Sequence, residues 1–246
     1  MRKIVSMLFG VMLLLGMGGA TISAEEMTPV STEIVEKNGL KFEIKTYNDN
    51  GVQVETVSEI GDNISAYSSD SQKLPALLSI SEERNGFKQT NSEITPYALA
   101  NPYEFHNSAQ SPSNANCFGG HWGFMEADII NPFHIRAYDG ACRGIYSGGG
   151  DADKIQLSET YTFTGVTVSV GWPASVSVSA SGQSASWSSL PYENTSMATA
   201  NRPEFTGVAY QPFFGLTIDS RADIYLGSTS YPATVSSSAN IWDWSL

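Results

Sequence analysis

Cysteine is scarce in this sequence: Cys117 and Cys142 are the only two in 246 residues. Two is too few for a disulfide-dense scaffold. With His121 and His134 they match no standard zinc spacing, so one Cys117–Cys142 disulfide is the expectation and a metal site the alternative. Bridging them would stabilise the fold by roughly 3 kcal/mol in the chain-entropy model. Cations are scarce too, with 13 Lys and Arg against 25 Asp and Glu and a net charge of −12. Such a surface releases few counterions from a phosphate backbone, which excludes nucleic acid as a partner. Anionic headgroups repel it for the same reason.

Catalytic signatures are missing as well. Ser147 lies in "GIYSGGG", without the G-x-S-x-G spacing of a hydrolase elbow. There is no phosphate-binding glycine loop before a lysine and no H-E-x-x-H, so no cofactor is expected. After the N-terminus no uncharged apolar run approaches the length of a spanning helix.

That N-terminus, "MRKIVSMLFGVMLLLGMGGATISA", joins a positive start (Arg2, Lys3) to an apolar run and a small-residue site at Ile22–Ala24. This is the anatomy of a secretory signal, residues 1–24, with a membrane anchor as the alternative. The mature protein is expected to be secreted and extracellular.

Aromatic residues divide the rest. All five tryptophans and all three histidines follow residue 98. Residues 25–97 are poor in large apolar groups and read as a pro-segment or an attached N-terminal extension. Loose small-residue sites at Ala98 and Ala100 would suit processing. Within the segment, Leu40, Phe42 and Ile44 alternate with charges, Asn50-Gly51 follows, and Val52 and Val54 resume the alternation. A hairpin over 39–57 is predicted. It needs a partner, because an isolated hairpin is marginal in water. Leu74–Ile80 would make one short helix.

Residues 98–246 hold short alternating stretches such as "KIQLSETYTF", "ADIYLG" and "ATVSSS", punctuated by Gly, Pro and Asn. An all-β domain, an antiparallel β-sandwich or barrel, is expected there. The uncharged ribbon "VTVSVGWPASVSVSASGQSASWS" (166–188) alternates Val or Ala with Ser, as membrane-inserting hairpins do. Gly171-Trp172-Pro173 breaks it, and proline does not donate inside a sheet. The remaining pieces reach roughly 23 Å at about 3.3 Å per residue, short of a tilted span. The ribbon is therefore read as a packed meander with Ala185 and Trp187 turned inward, and no stable membrane insertion is expected. Its serine face is a solvent side, or a surface for a flat partner.

Candidate site residues follow. His121, Glu126, Asp128 and His134 fall between the cysteines, where a His–carboxylate pair would do acid–base work; surface pairing of Arg136 with Glu126 or Asp128 is the plainer reading. Asp151 and Asp153, after three glycines, offer oxygens to calcium but lack the later ligands of an EF-hand loop, so a turn is favoured. Trp172, Trp242 and Trp244 are the tryptophans placed to stay exposed and bind. A binding protein with an extracellular glycan, envelope or protein ligand is the leading reading. An antibacterial or membrane-active protein and an extracellular hydrolase are the alternatives.

Overall fold

The computed structural model describes residues 27–61, 70–86, 103–128, 133–164, 169–171, 179–181, 184–202, 205–209 and 215–240. Residues 1–24, Trp172, Trp242 and Trp244 lie outside them.

Two antiparallel sheets face each other. The chain opens with a meander of β1 (Ser31–Lys37), β2 (Leu40–Asp49) and β3 (Val52–Ile60). Both turns use the residues such turns demand: Asn38-Gly39 and Asn50-Gly51 have φ of 53°, 77°, 52° and 88°. The predicted hairpin is thus β2–β3. Helix α1 follows at Asp70–Asn85, longer at both ends than the expected Leu74–Ile80. Its Lys73, Ala76, Leu77 and Ile80 share one face and are buried.

In the first sheet, β4 (Tyr103–Ser111), β5 (Asn114–Asp128) and β6 (Phe133–Tyr146) pair in sequence order. The other edge of β6 takes two short strands end to end, β12 (Met197–Asn201) and β13 (Phe205–Ala209). β12 then pairs with β3, so the N-terminal meander continues this sheet. The second sheet is built on β7 (Ala152–Thr164), flanked on one side by β14 (Gly215–Leu226) and β15 (Thr229–Asn240). On its other side lie β10 (Ser184–Ser188), with β9 (Ser179–Ser181) beyond it, and β11 (Tyr192–Thr195).

The ribbon is divided between the sheets. β8 (Ser169–Gly171) pairs with β13 of the first, whereas β9 and β10 belong to the second. Ala185 and Trp187 face the interior, at 1% and 6% exposure, as their alternation requires.

Side chains from both sheets fill the space between them. One cluster joins Val52, Val54, Ala198 and Ala200 to Ile155, Leu157, Trp187 and Ile224; another joins Phe105, Met125 and Phe205 to Tyr161, Phe163 and Ile218. On the outer face of the first sheet, Ala76, Leu77 and Ile80 of α1 pack on Phe42, Ile44, Val57, Ile145 and Met197. The molecule is a β-sandwich with one helix laid on its outside.

The expected disulfide is not there. Cys117 and Cys142 are free and buried. They lie on neighbouring strands, but Cys117 stands opposite Tyr146 and Cys142 opposite His121. The offset amounts to roughly 13 Å at about 3.3 Å per residue, well beyond the reach of a bridge. Burial pushes the Cys117 thiol up to about 11. Native protein should therefore resist iodoacetamide, alkylate at both cysteines only in denaturant, and melt at the same temperature with or without reductant. Rapid native alkylation would contradict the burial, and a Cys117–Cys142 bridge in peptide mapping would contradict the register.

Candidate functional site

His121 points inward because β5 alternates from buried Cys117. Its ring lies between two serines of the opposite sheet, with Nδ1 2.7 Å from Ser220 Oγ and Nε2 2.7 Å from Ser237 Oγ. Ser220 donates to Glu159 Oε1 at 2.7 Å. Tyr161 OH donates to Glu159 Oε2 at 2.8 Å, and Arg202 Nη2 and Nε reach the same carboxylate at 2.5 and 3.1 Å. Arg202 Nη1 donates to the Trp122 carbonyl at 2.8 Å, tying the pair to β5.

These bonds fix the proton positions. The Ser220 hydroxyl gives its one proton to Glu159, so it accepts Nδ1–H from His121. A neutral ring then leaves Nε2 bare to accept from Ser237, whose oxygen takes the Asn107 amide proton at 2.7 Å. Donation runs one way, Asn107 to Ser237 to His121 to Ser220 to Glu159. Burial, then the positive charge of Arg202, push the His121 pKa down to about 3. Burial alone would raise Glu159, but Arg202 outweighs it and holds the carboxyl below its usual range.

The cluster is not arranged for hydrolysis. A nucleophile needs the imidazole between it and the acid; here a serine separates His121 from Glu159. His121, Tyr161, Glu159, Ser220, Ser237 and Arg202 are all at most 6% exposed. The cluster couples the sheets and presents nothing to a substrate.

The other predicted acid–base residues are placed elsewhere. Glu126 and Arg136 are cross-strand partners joined at 2.5 Å on the outer face, the surface pairing read from the sequence. Asp128 stands opposite His134 near one end of β6, whereas His121 pairs with Cys142 near the other. His121 on the inner face is thus separated from Glu126 on the outer one, while Asp128 and His134 are paired in backbone register.

Asp151 accepts from the Ser196 hydroxyl and the Glu59 amide, and Asp153 from the Gly227 amide. The glycine-turn carbonyls already have a cation: Lys73, fully buried, donates to Gly148 O at 2.9 Å and to Gly150 O. Among the described residues, no three His, Cys, Asp or Glu side chains converge to hold a metal.

What the outer face does offer is a row of rings. Where α1 ends, at Asn85–Gly86, a Cβ on Gly86 would meet the Trp122 ring at 2.9 Å. Beyond that point the rings themselves cover the sheet. His106 and Trp122, cross-strand partners, stack at 5.8 Å and 6°. Trp122 meets Phe124 edge to face at 6.2 Å, and Phe124 stacks on its partner Tyr138 at 5.8 Å. Arg136 lies over Tyr138 at 4.8 Å and reaches back to Glu126. All four rings are half-buried. The sequence signal for this ladder is the alternation of Trp122, Phe124 and Glu126 on one strand and of Arg136 and Tyr138 on the next, which is indistinguishable by spacing from a polar catalytic stretch.

No protein-family model matches the chain, and no curated protein does. Among solved structures, the collagen-binding domain of a Staphylococcus aureus adhesin is 6% identical, with 59% of this chain and 99% of that one covered and a TM-score of 0.26. The collagen-binding subdomain of the Enterococcus faecalis surface protein ACE is 6% identical, covering 56% and 97%, with a TM-score of 0.22. A structure described as manganese lipoxygenase of Gaeumannomyces graminis with partial zonadhesin of Komagataella pastoris is 10% identical, covering 83% and 64%, also at 0.22. The sandwich described above rests on its own strands and registers.

Proposed function

We propose that this protein is a secreted binding module whose ligand is held on the outer face of the first sheet, at the His106–Trp122–Phe124–Tyr138 ladder. The observation that carries the reading is that row of partly buried rings on three adjacent strands, with the Arg136–Glu126 pair beside it. Rings that keep part of their surface accessible supply contact area at little entropic cost, and a neighbouring ion pair offers donors and acceptors to hydroxyls. The net charge of −12 disfavours anionic ligands, so an uncharged extracellular glycan is the chemistry the face fits best. The signal-like residues 1–24 support export.

Tyr138→Ala and Phe124→Ala test the proposal on a printed array of neutral saccharides. Removing one member of a cross-strand ring pair should cost about 1 kcal/mol of stability or less. Loss of a central contact should weaken binding at least tenfold, equivalent to about 1.4 kcal/mol. Undiminished binding by both variants would remove the ladder from the account; a pull-down that captures protein but no saccharide would leave the face and change the ligand class.

A further inference from the structure

We infer that residues 27–86 are held in the sandwich by their contacts with residues 103–246 and not by the covalent link to them, so that a cut between Gly86 and Tyr103 leaves one two-chain particle. The small-residue sites at Ala98 and Ala100 lie in that interval. Processing there would nick the protein and not trim it.

The contacts that carry this extend along the whole unit. β3 is an interior strand, with β2 on one edge and Val54–Val57 paired to Ala200–Met197 of β12 on the other. Val52 and Val54 reach into the core between the sheets, while Val57 and three apolar residues of α1 close over Ile145 and Met197.

Polar ties close the margins of the interface. At the β2–β3 turn, Asp49 accepts from the Leu190 amide at 2.8 Å and from Tyr192 OH at 3.1 Å. Farther along, Ser58 Oγ donates to Asn194 O at 2.7 Å, and the Ser196 amide to Val57 O at 2.8 Å. On the helix, Lys73 is enclosed by the Gly148–Gly150 turn with Glu59 3.4 Å away, and Arg143 of β6 donates to Ser81 at 2.8 Å. Departure of the unit would expose the edge of β12, uncover the Ile145–Met197 face and strip the glycine turn of its cation. A buried ammonium released from its carbonyls regains water, but the apolar faces on both sides do not regain partners.

The test uses the full chain with a specific-protease sequence inserted between Gly86 and Tyr103, cut to completion as judged on a denaturing gel. Native size-exclusion chromatography with light scattering should then give one peak of the uncut mass containing both fragments. The cut protein should also melt at a temperature that rises with protein concentration, unlike the uncut chain, because its unfolding now separates two molecules. Fragments in separate peaks, or aggregation of the 103–246 part on cutting, would overturn the inference.

Discussion

Arg202→Met should destabilise the protein by about 3–5 kcal/mol, the range for breaking a buried ion pair from one side. Glu159 would then sit at 2% exposure without its counter-charge, and the Trp122 carbonyl would lose its donor. Removing both charges, as Arg202→Met with Glu159→Gln, should recover a large part of that loss, because the cost comes from the stranded carboxylate more than from the absent attraction. Urea unfolding of the two variants beside the wild type measures this directly. A single-variant loss under about 1 kcal/mol would mean that water reaches the pair, as at exposed ion pairs.

Acid should weaken the fold through His121. The folded ring titrates near 3, against 6.5 for a free imidazole. Between those values the unfolded chain binds a proton that the folded chain refuses, so stability falls as pH falls through the window. The slope approaches about 1.4 kcal/mol per pH unit, and the full loss is on the order of 5 kcal/mol. Glu159, held low by Arg202, acts in the same direction: its contribution is present above the ordinary carboxylate range and lost as pH drops toward its folded value. Asp151, raised by burial, works against this trend. Denaturant curves at several pH values should show a steep decline for the wild type between pH 6 and 4, approximately the middle of the window. In His121→Gln, which cannot take up the proton, the decline should be shallower. Parallel profiles would show that the imidazole is hydrated in the folded state.

Local signals in the sequence proved legible where local physics decides. Asn50-Gly51 between alternating runs fixed the β2–β3 hairpin because two consecutive positive φ angles leave few other residues or conformations. Ala185 and Trp187 were placed inward by strand period alone. The edge strand β1 carries no such signal: "STEIVEK" has no alternation, and its Ile34 is exposed. Cys117 and Cys142 misled because proximity in sequence says nothing about the offset between paired strands, which is set by how β5 and β6 register.

The interior cluster was out of reach for a related reason. His121, Glu159, Arg202 and Ser220 come from four separate segments, and only the packing of one sheet on the other brings them together. His121 looked like a reagent because it stood in a polar stretch; strand alternation from Cys117 turns it into the core instead. Lys73 is the converse case. In sequence it is an ordinary helix lysine, and only the Gly148–Gly150 turn closing over it makes it a buried cation.

If the ligand is held on the outer ring ladder, as proposed, the interior histidine cluster serves folding and not binding. Saccharide-array binding at pH 7, with wild type, the Phe124→Ala/Tyr138→Ala double variant and His121→Gln compared at equal folded concentration, tests it most directly. The double variant should lose binding and His121→Gln should retain it. Retained binding in the double variant, with loss in His121→Gln, would contradict it.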